Sequence, residues 1–371
     1  HRQLIADGIF TLTLNPMLYQ PYKIQTDDGR DTIVYGKIPV DRLAEGTVQY
    51  FLEDGTPLKE GKYRTTDLSK SEQGFYVTAN GLKSDVFKVS IREPFAEDAY
   101  ETITYPVVFH LIQDKTKVEL GQGVGADIVN YAFNTIYNCF ARTAAFSPNG
   151  ADTKIRFRLA EYDPNGRKME EKGINRYSLS TSDLNNLNPE KIKNNPKICW
   201  DYKRYLNIWI VENMGNSVST PHYILNTADL NQIQGVSFEQ LSLEEIEKQE
   251  YSLTDIGLIY GARDFAIEDV GYPTQMGKFF GLLDTENQKE DYCEDTFAYN
   301  TYKEPWNTAL EGSNSRLKIS TDGLIFYSVN IMDASSYKNT ISMDQVKRIR
   351  TITDNCPHRW AWKSDWAFTG K

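Results

Sequence analysis

The segment Tyr105–Ile112 (YPVVFHLI) constrains the fold of this chain more than any other, because it is an almost continuous apolar run. Such a run is typical of a strand that is buried on both faces of a sheet. A second run of this kind lies at Tyr205–Val211 (YLNIWIV), and a third at Asp255–Tyr260 (DIGLIY). The three runs predict a domain whose central sheet is covered on both sides.

Helical patterns separate and follow these strands. From Ile128 to Phe140 the apolar residues recur every three or four positions, which predicts a helix packed on the sheet. A second helix is predicted over about Tyr272–Leu283. A third is predicted to begin after Ser342, because Gln345 stands three positions further on and completes a capping box.

Residues 1–97 have a different pattern, in which short alternating runs are separated by turn signals such as Asn80-Gly81. Several short strands at regular spacing predict a small β-sandwich of the immunoglobulin type. We expect residues 98–104 to form a linker and residues 105–371 to form a second domain of mixed α and β structure.

Composition excludes two classes of protein. The net charge of −10 argues against a nucleic-acid partner, which needs a basic face. No stretch approaches the roughly 20 apolar residues that span a bilayer, so the chain is not expected to be an integral membrane protein. Its 371 residues suffice for a sizeable core without metal or disulfide support.

Four cysteines, Cys139, Cys199, Cys293 and Cys356, form an even set without a CxxC spacing. This spacing disfavours a zinc ribbon and permits two disulfides in any of three pairings; four buried thiols are the alternative. Of the pairings we expect Cys293 with Cys356 and Cys139 with Cys199. Because disulfides form in oxidising compartments, we interpret the chain as an exported protein.

The four histidines include no HExxH pair or other helical metal-binding spacing. His110 lies inside the first apolar run and is predicted to be a hydrogen-bonded core residue. His358 follows Cys356-Pro357 and is predicted to lie in a surface turn. The glycine-rich segment Gly121–Gly125 precedes a helix, but its spacing does not match a dinucleotide-binding loop, so we interpret it as a connection.

Six segments, in their order along residues 102–356, resemble the pappalysin/cytophagalysin branch of the metzincin zinc peptidases. They are YPVVFH at 105–110, IRFRLAEYDPNG at 155–166, GINR at 173–176, YLNIWIV at 205–211, GLIYG at 257–261 and SVNIMD at 328–333. The chain is most similar to a lipoprotein subgroup of Bacteroidetes that carries an N-terminal immunoglobulin-like domain.

The resemblance implies a multi-domain protein. An all-β immunoglobulin-like sandwich would precede an α+β metzincin-like (zincin) domain with a mixed twisted sheet, an active-site-type helix and a Met-turn. The resemblance also implies an exported protein of the periplasm or cell surface. A lipid anchor upstream of His1 would be its only attachment to a membrane.

In this family the catalytic helix carries HExxHxxGxxH, in which three histidines bind zinc and the glutamate is the general base. Here the ligand positions are held by Thr274, Lys278 and Asp284, and the base position by Gln275. Gly281 matches the family glycine near the end of the helix. Only Asp284 is an ordinary zinc donor, and Gln275 has no carboxylate to take a proton from water.

Met332 matches the methionine of the Met-turn, but the tyrosine that is common two positions later is replaced by Ala334. The zinc ligands, the base and the tyrosine are therefore missing, so we expect neither zinc nor another cofactor. We expect the Lys278 ammonium to lie near the position of the zinc and to pair with Asp284. A solvated lysine in an open groove is the alternative.

The first hypothesis is a catalytically inactive, exported pseudoenzyme that binds a peptide or protein ligand in the former substrate cleft. The second is an enzyme, either an active peptidase with an unusual metal site or one that catalyses a different reaction in that cleft. The third is a glycan- or surface-binding lipoprotein that uses the N-terminal domain and an aromatic patch of Trp360, Trp362 and Trp366. Packing of the C-terminal tail is the alternative role of these tryptophans. No particular oligomeric state is predicted.

Overall fold

The structure, a computed structural model, describes residues 3–96, 98–119, 121–143, 150–266, 271–286, 290–299, 317–321, 325–334 and 338–371. The chain forms two compact units, His1–Phe95 and Ala96–Lys371. The first strand of the second unit begins at Ile103, inside the predicted linker 98–104. No helix within the described ranges is long and apolar enough to cross a membrane.

The first unit consists of strands and short 3-10 turns. Its strands are β1 (Gln3–Ile5), β2 (Leu12–Thr13), β3 (Leu18–Gln25), β4 (Asp31–Ile38), β5 (Val48–Leu52), β6 (Pro57–Leu58), β7 (Lys62–Tyr63), β8 (Glu72–Ala79), β9 (Leu82–Lys83) and β10 (Phe87–Arg92). The main sheet has the order β1–β10–β8–β5–β6, with β9 paired to β8, and the pairs β2–β7 and β3–β4 are separate ladders. The immunoglobulin-type arrangement stays a prediction.

The predicted turn at Asn80-Gly81 connects β8 to β9. Asn80 and Gly81 have φ angles of 48° and 80°, which is the left-handed geometry that this dipeptide favours in tight hairpins. The buried centre of the unit is formed by Leu4, Phe75 and Val89, which come from three neighbouring strands of the main sheet. Local turn chemistry and apolar alternation thus account for this unit.

The second unit combines strands and helices. Its strands are β11 (Ile103–Asp114), β12 (Ile155–Leu159), β13 (Ile174–Leu179), β14 (Leu206–Val211), β15 (Tyr223–Leu225), β16 (Glu239–Leu241), β17 (Gly257–Gly261), β18 (Leu317–Ile319) and β19 (Ile325–Tyr327). Its helices are α1 (Lys115–Glu119), α2 (Ala126–Phe140), α3 (Thr181–Asn185), α4 (Pro189–Lys193), α5 (Leu243–Ile246), α6 (Ala262–Ala266), α7 (Tyr272–Phe279), α8 (Met343–Asn355) and α9 (Trp366–Thr369).

The central sheet of this unit has the order β12–β11–β14–β17, and β13 pairs with the second half of β11. All of these pairings are parallel. Among the described residues, the only antiparallel pairing to this sheet is the bridge between Ser217 and Ile259. A sheet with both parallel and antiparallel pairings was expected, and within the described ranges only this bridge is antiparallel. Every residue of β14 is buried, as the continuous apolar run predicts.

His110 lies in the core of the sheet, as predicted. It is fully buried in β11, with its Nε2 2.9 Å from Asn207 Oδ1 and its Nδ1 2.8 Å from Asn175 Nδ2. Both ring nitrogens therefore have hydrogen-bonding partners. Burial lowers the pKa of His110 to about 4, because the charged ring would lose its hydration.

His358 is also buried, so the prediction of a surface turn is wrong. It is 5% exposed and contacts the rings of Tyr202, Tyr223 and Tyr251. The 3-10 turn at Pro357–Arg359 follows α8 directly and is buried at all three residues. Burial lowers the pKa of His358 to about 4 as well.

These two pKa values predict a loss of stability in acid. His110 and His358 titrate near pH 4 in the folded chain but near 6.5 when unfolded, so the unfolded state binds more protons between these values. The stability that the neutral rings contribute is complete above about pH 6.5 and is lost as the pH falls toward 4. Asp291 opposes this trend, because burial raises its pKa to about 6 and its folded form gains a proton first.

We expect His358→Phe to reduce the loss of unfolding free energy between about pH 6 and pH 5 by about 1 kcal/mol. Phenylalanine fits among the tyrosine rings and does not titrate. Urea unfolding at each pH measures the effect, with the exposed His222→Phe as the control. A pH dependence that is the same in His358→Phe and in the unmodified chain would contradict the prediction.

All four cysteines are free thiols, so the predicted disulfides Cys293–Cys356 and Cys139–Cys199 are wrong. Cys199 and Cys356 lie in different apolar clusters, and the Cys139 thiol donates to the Lys338 carbonyl at 3.2 Å. Burial raises the pKa of Cys139 to about 12 and that of Cys199 to about 11. Export and lipid anchoring therefore rest on the resemblance alone and stay predictions.

Candidate functional site

Helix α7 carries Thr274, Gln275 and Lys278, three of the positions that the sequence resemblance aligns with the metzincin motif. It ends at Phe279, and the chain then turns at Gly281, whose φ of +81° is a left-handed conformation that glycine adopts without strain. A Cβ atom at Gly281 would lie 2.1 Å from Ile352 Cδ1 of α8. The turn therefore requires glycine, and it directs the chain so that Asp284 approaches the helix.

An ion pair joins Lys278 to Asp284. The Lys278 Nζ lies 2.9 Å from Asp284 Oδ1 and 3.1 Å from Oδ2, so the ammonium group contacts both carboxylate oxygens. The two side chains are 30% and 29% exposed. Because water is partly excluded, this pair contributes more than a surface pair, and yet a ligand can reach Lys278.

We expect Lys278→Ala to lower the free energy of unfolding by about 1–2 kcal/mol, because it leaves a half-buried carboxylate without its cation. Lys248→Ala is the matched control, since Lys248 pairs with Glu244 at 2.6 Å on the open surface. There we expect a change within about 0.5 kcal/mol. Urea unfolding compares the two variants. An equal loss of unfolding free energy in both would show that the Lys278–Asp284 pair contributes no more to stability than a surface ion pair.

The hydroxyl of Thr274 is engaged on two sides. It donates to the Ile331 carbonyl at 2.6 Å and accepts a hydrogen bond from Lys338 Nζ at 2.7 Å. The first ligand position thus holds a neutral hydroxyl with a second ammonium group beside it. Lys338 was not predicted as a site residue, because it lies 64 positions from Thr274 and belongs to no motif.

A turn at residues 330–333 passes beneath α7. The Asn330 Oδ1 accepts the Met332 N–H at 2.9 Å, and the Asp333 N–H donates to the Asn330 carbonyl at 3.1 Å. Met332 is buried, and its Sδ lies 2.9 Å from the point where a Cβ of Gly277 would stand. The missing side chain at Gly277 therefore allows Met332 to pack directly under the helix.

Asp333 is buried beside this turn. Its carboxylate accepts hydrogen bonds from Thr285 Oγ1 at 2.5 Å and Ser328 Oγ at 2.7 Å. Burial raises the pKa of Asp333, while these hydroxyls favour the charged form. Burial also lowers the pKa of Lys318, which the Asp333 charge opposes. The base of the site is thus a closed polar network.

Tyr299 lies beside Ala334, the residue that stands where the motif has its tyrosine. The Ala334 N–H donates to the Tyr299 hydroxyl at 2.6 Å, and Tyr299 is fully buried. Burial raises the pKa of Tyr299, so the hydroxyl keeps its proton at neutral pH. Sequence spacing could not indicate this contact, because Tyr299 lies 35 positions before Ala334.

The residues at the ligand positions do not fit a zinc ion, which prefers imidazole, thiolate or carboxylate donors. Asp284 is already bound by Lys278, and the Thr274 hydroxyl lies beside the ammonium group of Lys338. The ammonium groups of Lys278 and Lys338 therefore repel a zinc ion. Within the described ranges, no three His, Cys, Asp or Glu side chains form a group that could hold a metal. Gln275, half-buried on α7, is no proton acceptor.

The C-terminal tryptophans pack against the rest of the second unit. The Trp360 Nε1 donates to the Thr353 carbonyl at 3.1 Å, and the Trp366 Nε1 donates to the Asp163 carbonyl at 3.2 Å. Trp360, Trp362 and Trp366 are all half-buried. These contacts support the packing role, and the hypothesis of a glycan-binding patch stays a prediction.

Comparison with known proteins finds similar structures but no family. No protein-family model and no curated protein matches the chain. A promirolysin mutant from Tannerella forsythia is 20% identical, with a TM-score of 0.49, over 73% of this chain and 87% of that chain. Mature Tannerella forsythia mirolysin in complex with a cleaved peptide is 20% identical, with a TM-score of 0.48, over 72% and 97%.

Mirolysin in complex with compound 9 is 18% identical, with a TM-score of 0.47, and the match covers 73% of this chain and 99% of that chain. The three matches have nearly the same sequence identity and TM-score. Similarity at this level assigns the chain to no family and transfers no activity to it.

Proposed function

We propose that this chain is a metzincin-like pseudoenzyme that binds a peptide or protein ligand beside α7 and does not hydrolyse it with zinc. One observation carries the proposal: ammonium groups stand at the ligand positions, Lys278 on Asp284 and Lys338 on Thr274. A zinc ion needs free donors that offset its charge. Here those donors already interact with the two ammonium groups.

Three features support the metzincin-like frame. The helix ends in a turn at Gly281, the chain then returns Asp284 to the helix, and Met332 packs beneath Gly277. In the motif, these places belong to the family glycine, the third ligand and the Met-turn. The frame is kept although the donors have changed, which is the pattern of a fold that has lost its chemistry.

An exposed ammonium group at the site favours an acidic peptide. Lys278, Lys318 and Lys338 lie near the carboxylates of Asp284, Asp333 and Glu286. In a partly dry environment, complementarity between an exposed ammonium group and a ligand carboxylate is effective. A carboxylate of the ligand can reach Lys278, which is 30% exposed.

Zinc stoichiometry tests the loss of the metal. After dialysis against zinc and removal of the excess, elemental mass spectrometry is expected to find less than about one-tenth of an equivalent in the full chain. As the control, a variant with Thr274→His, Lys278→His, Asp284→His and Lys338→Ala is expected to gain zinc. Near one equivalent in the unmodified chain would overturn the proposal, and peptidase assays would follow.

Peptide binding tests the second half of the proposal. Fluorescence anisotropy compares labelled acidic and basic decapeptides on the full chain. We expect the acidic peptide to bind more tightly and Lys278→Gln to weaken it about tenfold, while Lys248→Gln leaves it unchanged. Equal affinity for both peptides, or no effect of Lys278→Gln, would remove the binding role even if zinc is absent.

A further inference from the structure

A cavity of about 560 Å³ opens at the carboxyl ends of β11, β14 and β17. Gln113 lies near the end of β11, Glu212 follows β14, and Arg263 and Asp264 follow β17. Gly123, in the glycine-rich loop before α2, lines another side. Small molecules commonly bind at this edge of a parallel sheet, and the volume is typical of ligand sites.

Gln113 is the residue that points to a ligand. Its side chain lines the cavity and the residue is 5% exposed. Within the described part of the chain, no hydrogen bond involves its carboxamide. Its two N–H donors and its carbonyl acceptor are therefore open to a polar molecule in the cavity.

The backbone around the cavity permits close contact with a ligand. A Cβ at Gly123 would lie 3.0 Å from Gln113 Oε1, and one at Gly261 would lie 2.4 Å from the Met214 carbonyl oxygen. Helix α2 begins after Gly125, and the carboxylate of Asp127 in its first turn lies close to Gly125, so the start of the helix already has a negative charge beside it.

The charges at the cavity have both signs. Lys117 forms an ion pair with Glu212, which also accepts the Asp114 N–H at 2.9 Å, so these charges are compensated. Arg263 and Asp264 are adjacent and exposed on α6, and neither forms an ion pair with another described residue. Asp264 repels a simple anion and Arg263 repels a simple cation, whereas a molecule with both charges satisfies each.

We propose that this cavity binds a small zwitterion of the size of an amino acid or a dipeptide. The carboxylate is held by Arg263, and the ammonium group by Asp264. The Gln113 carboxamide hydrogen-bonds the body of the ligand. This site shares no residue with the one at α7, and the proposal does not depend on the function proposed there.

Saturation-transfer difference NMR of the full chain with glycylglycine tests this proposal. We expect saturable binding of the dipeptide, and at least about tenfold weaker binding of acetate and of ethylamine, each of which carries one of the two charges. Arg263→Gln is expected to weaken dipeptide binding about tenfold, and Gln113→Leu is expected to weaken it as well. Arg167→Gln, at an exposed arginine away from the cavity, is the matched control.

Three results would overturn the proposal: no saturable binding of glycylglycine, acetate binding as tightly as the dipeptide, or dipeptide binding that both cavity variants leave unchanged. Because Gln113→Leu alters a buried residue, circular dichroism and thermal unfolding check its fold. Arg263 is exposed, so Arg263→Gln gives a decisive answer even if Gln113→Leu does not fold.

Discussion

Replacing Arg359 with alanine is expected to lower the free energy of unfolding by about 3–5 kcal/mol. Arg359 is 1% exposed, and its guanidinium group donates to the carbonyls of Phe279 at 2.8 Å, of Asp255, and of Ser219 at 3.3 Å. It also lies 3.5 Å from the centroid of the Phe279 ring. Its removal leaves three carbonyls without a donor and opens a cavity at the end of α7.

Urea unfolding measures this effect against Arg167→Ala, an exposed site where we expect a change within about 0.5 kcal/mol. Arg359→Lys keeps the charge but cannot span the three carbonyls, so it is expected to recover only part of the loss. If Arg359→Ala is no less stable than Arg167→Ala, the three hydrogen bonds of Arg359 do not stabilise the packing of the segments that contain Ser219, Asp255 and Phe279.

Gly281→Ala is expected to destabilise the chain by about 3 kcal/mol. The φ of +81° at Gly281 is strained for alanine, and the new Cβ would stand 2.1 Å from Ile352 Cδ1. The Ile352 methyl must move to relieve this clash, and because Ile352 is fully buried its neighbours must shift as well. A shift of the turn at Gly281 would also weaken the ion pair between Lys278 and Asp284.

Gly121→Ala separates the effect of backbone strain from the effect of the steric clash with Ile352. Gly121 belongs to the same unit and has a φ of +70°, but no described atom lies within 4 Å of its Cβ position. We therefore expect the backbone effect alone, about 1 kcal/mol. Thermal or urea unfolding compares the variants, and equal losses at the two glycines would show that packing against Ile352 is unimportant.

Strands β11, β14 and β17 and helices α2, α7 and α8 were predictable because short-range patterns specify them. The apolar run Tyr105–Ile112 lies within β11, and α8 begins after Ser342 with both hydrogen bonds of the predicted capping box. The Lys278–Asp284 pair was predictable for the same reason. Its members are separated by less than two helical turns and by one glycine, so their spacing in the sequence already places them together.

The long-range partners of the site could not be predicted. Lys338 and Tyr299 reach the site from segments far along the chain, and no local spacing distinguishes them from surface residues. His358 was predicted at the surface because it follows a proline, but the tyrosines that cover it come from other segments. The burial of a polar residue depends on which elements fold over it.

Side-chain chemistry and local spacing alone predict strands β11, β14 and β17 and helices α2, α7 and α8 of the second unit, and they leave Asp284 as the one ordinary zinc donor among the positions matched to the motif. Long-range packing specifies that Lys338 stands beside Thr274, that the four cysteines are free thiols, and that Gln113 lines a cavity. These contacts join residues that are distant in the chain, so they exist only once the sheet and its helices have assembled.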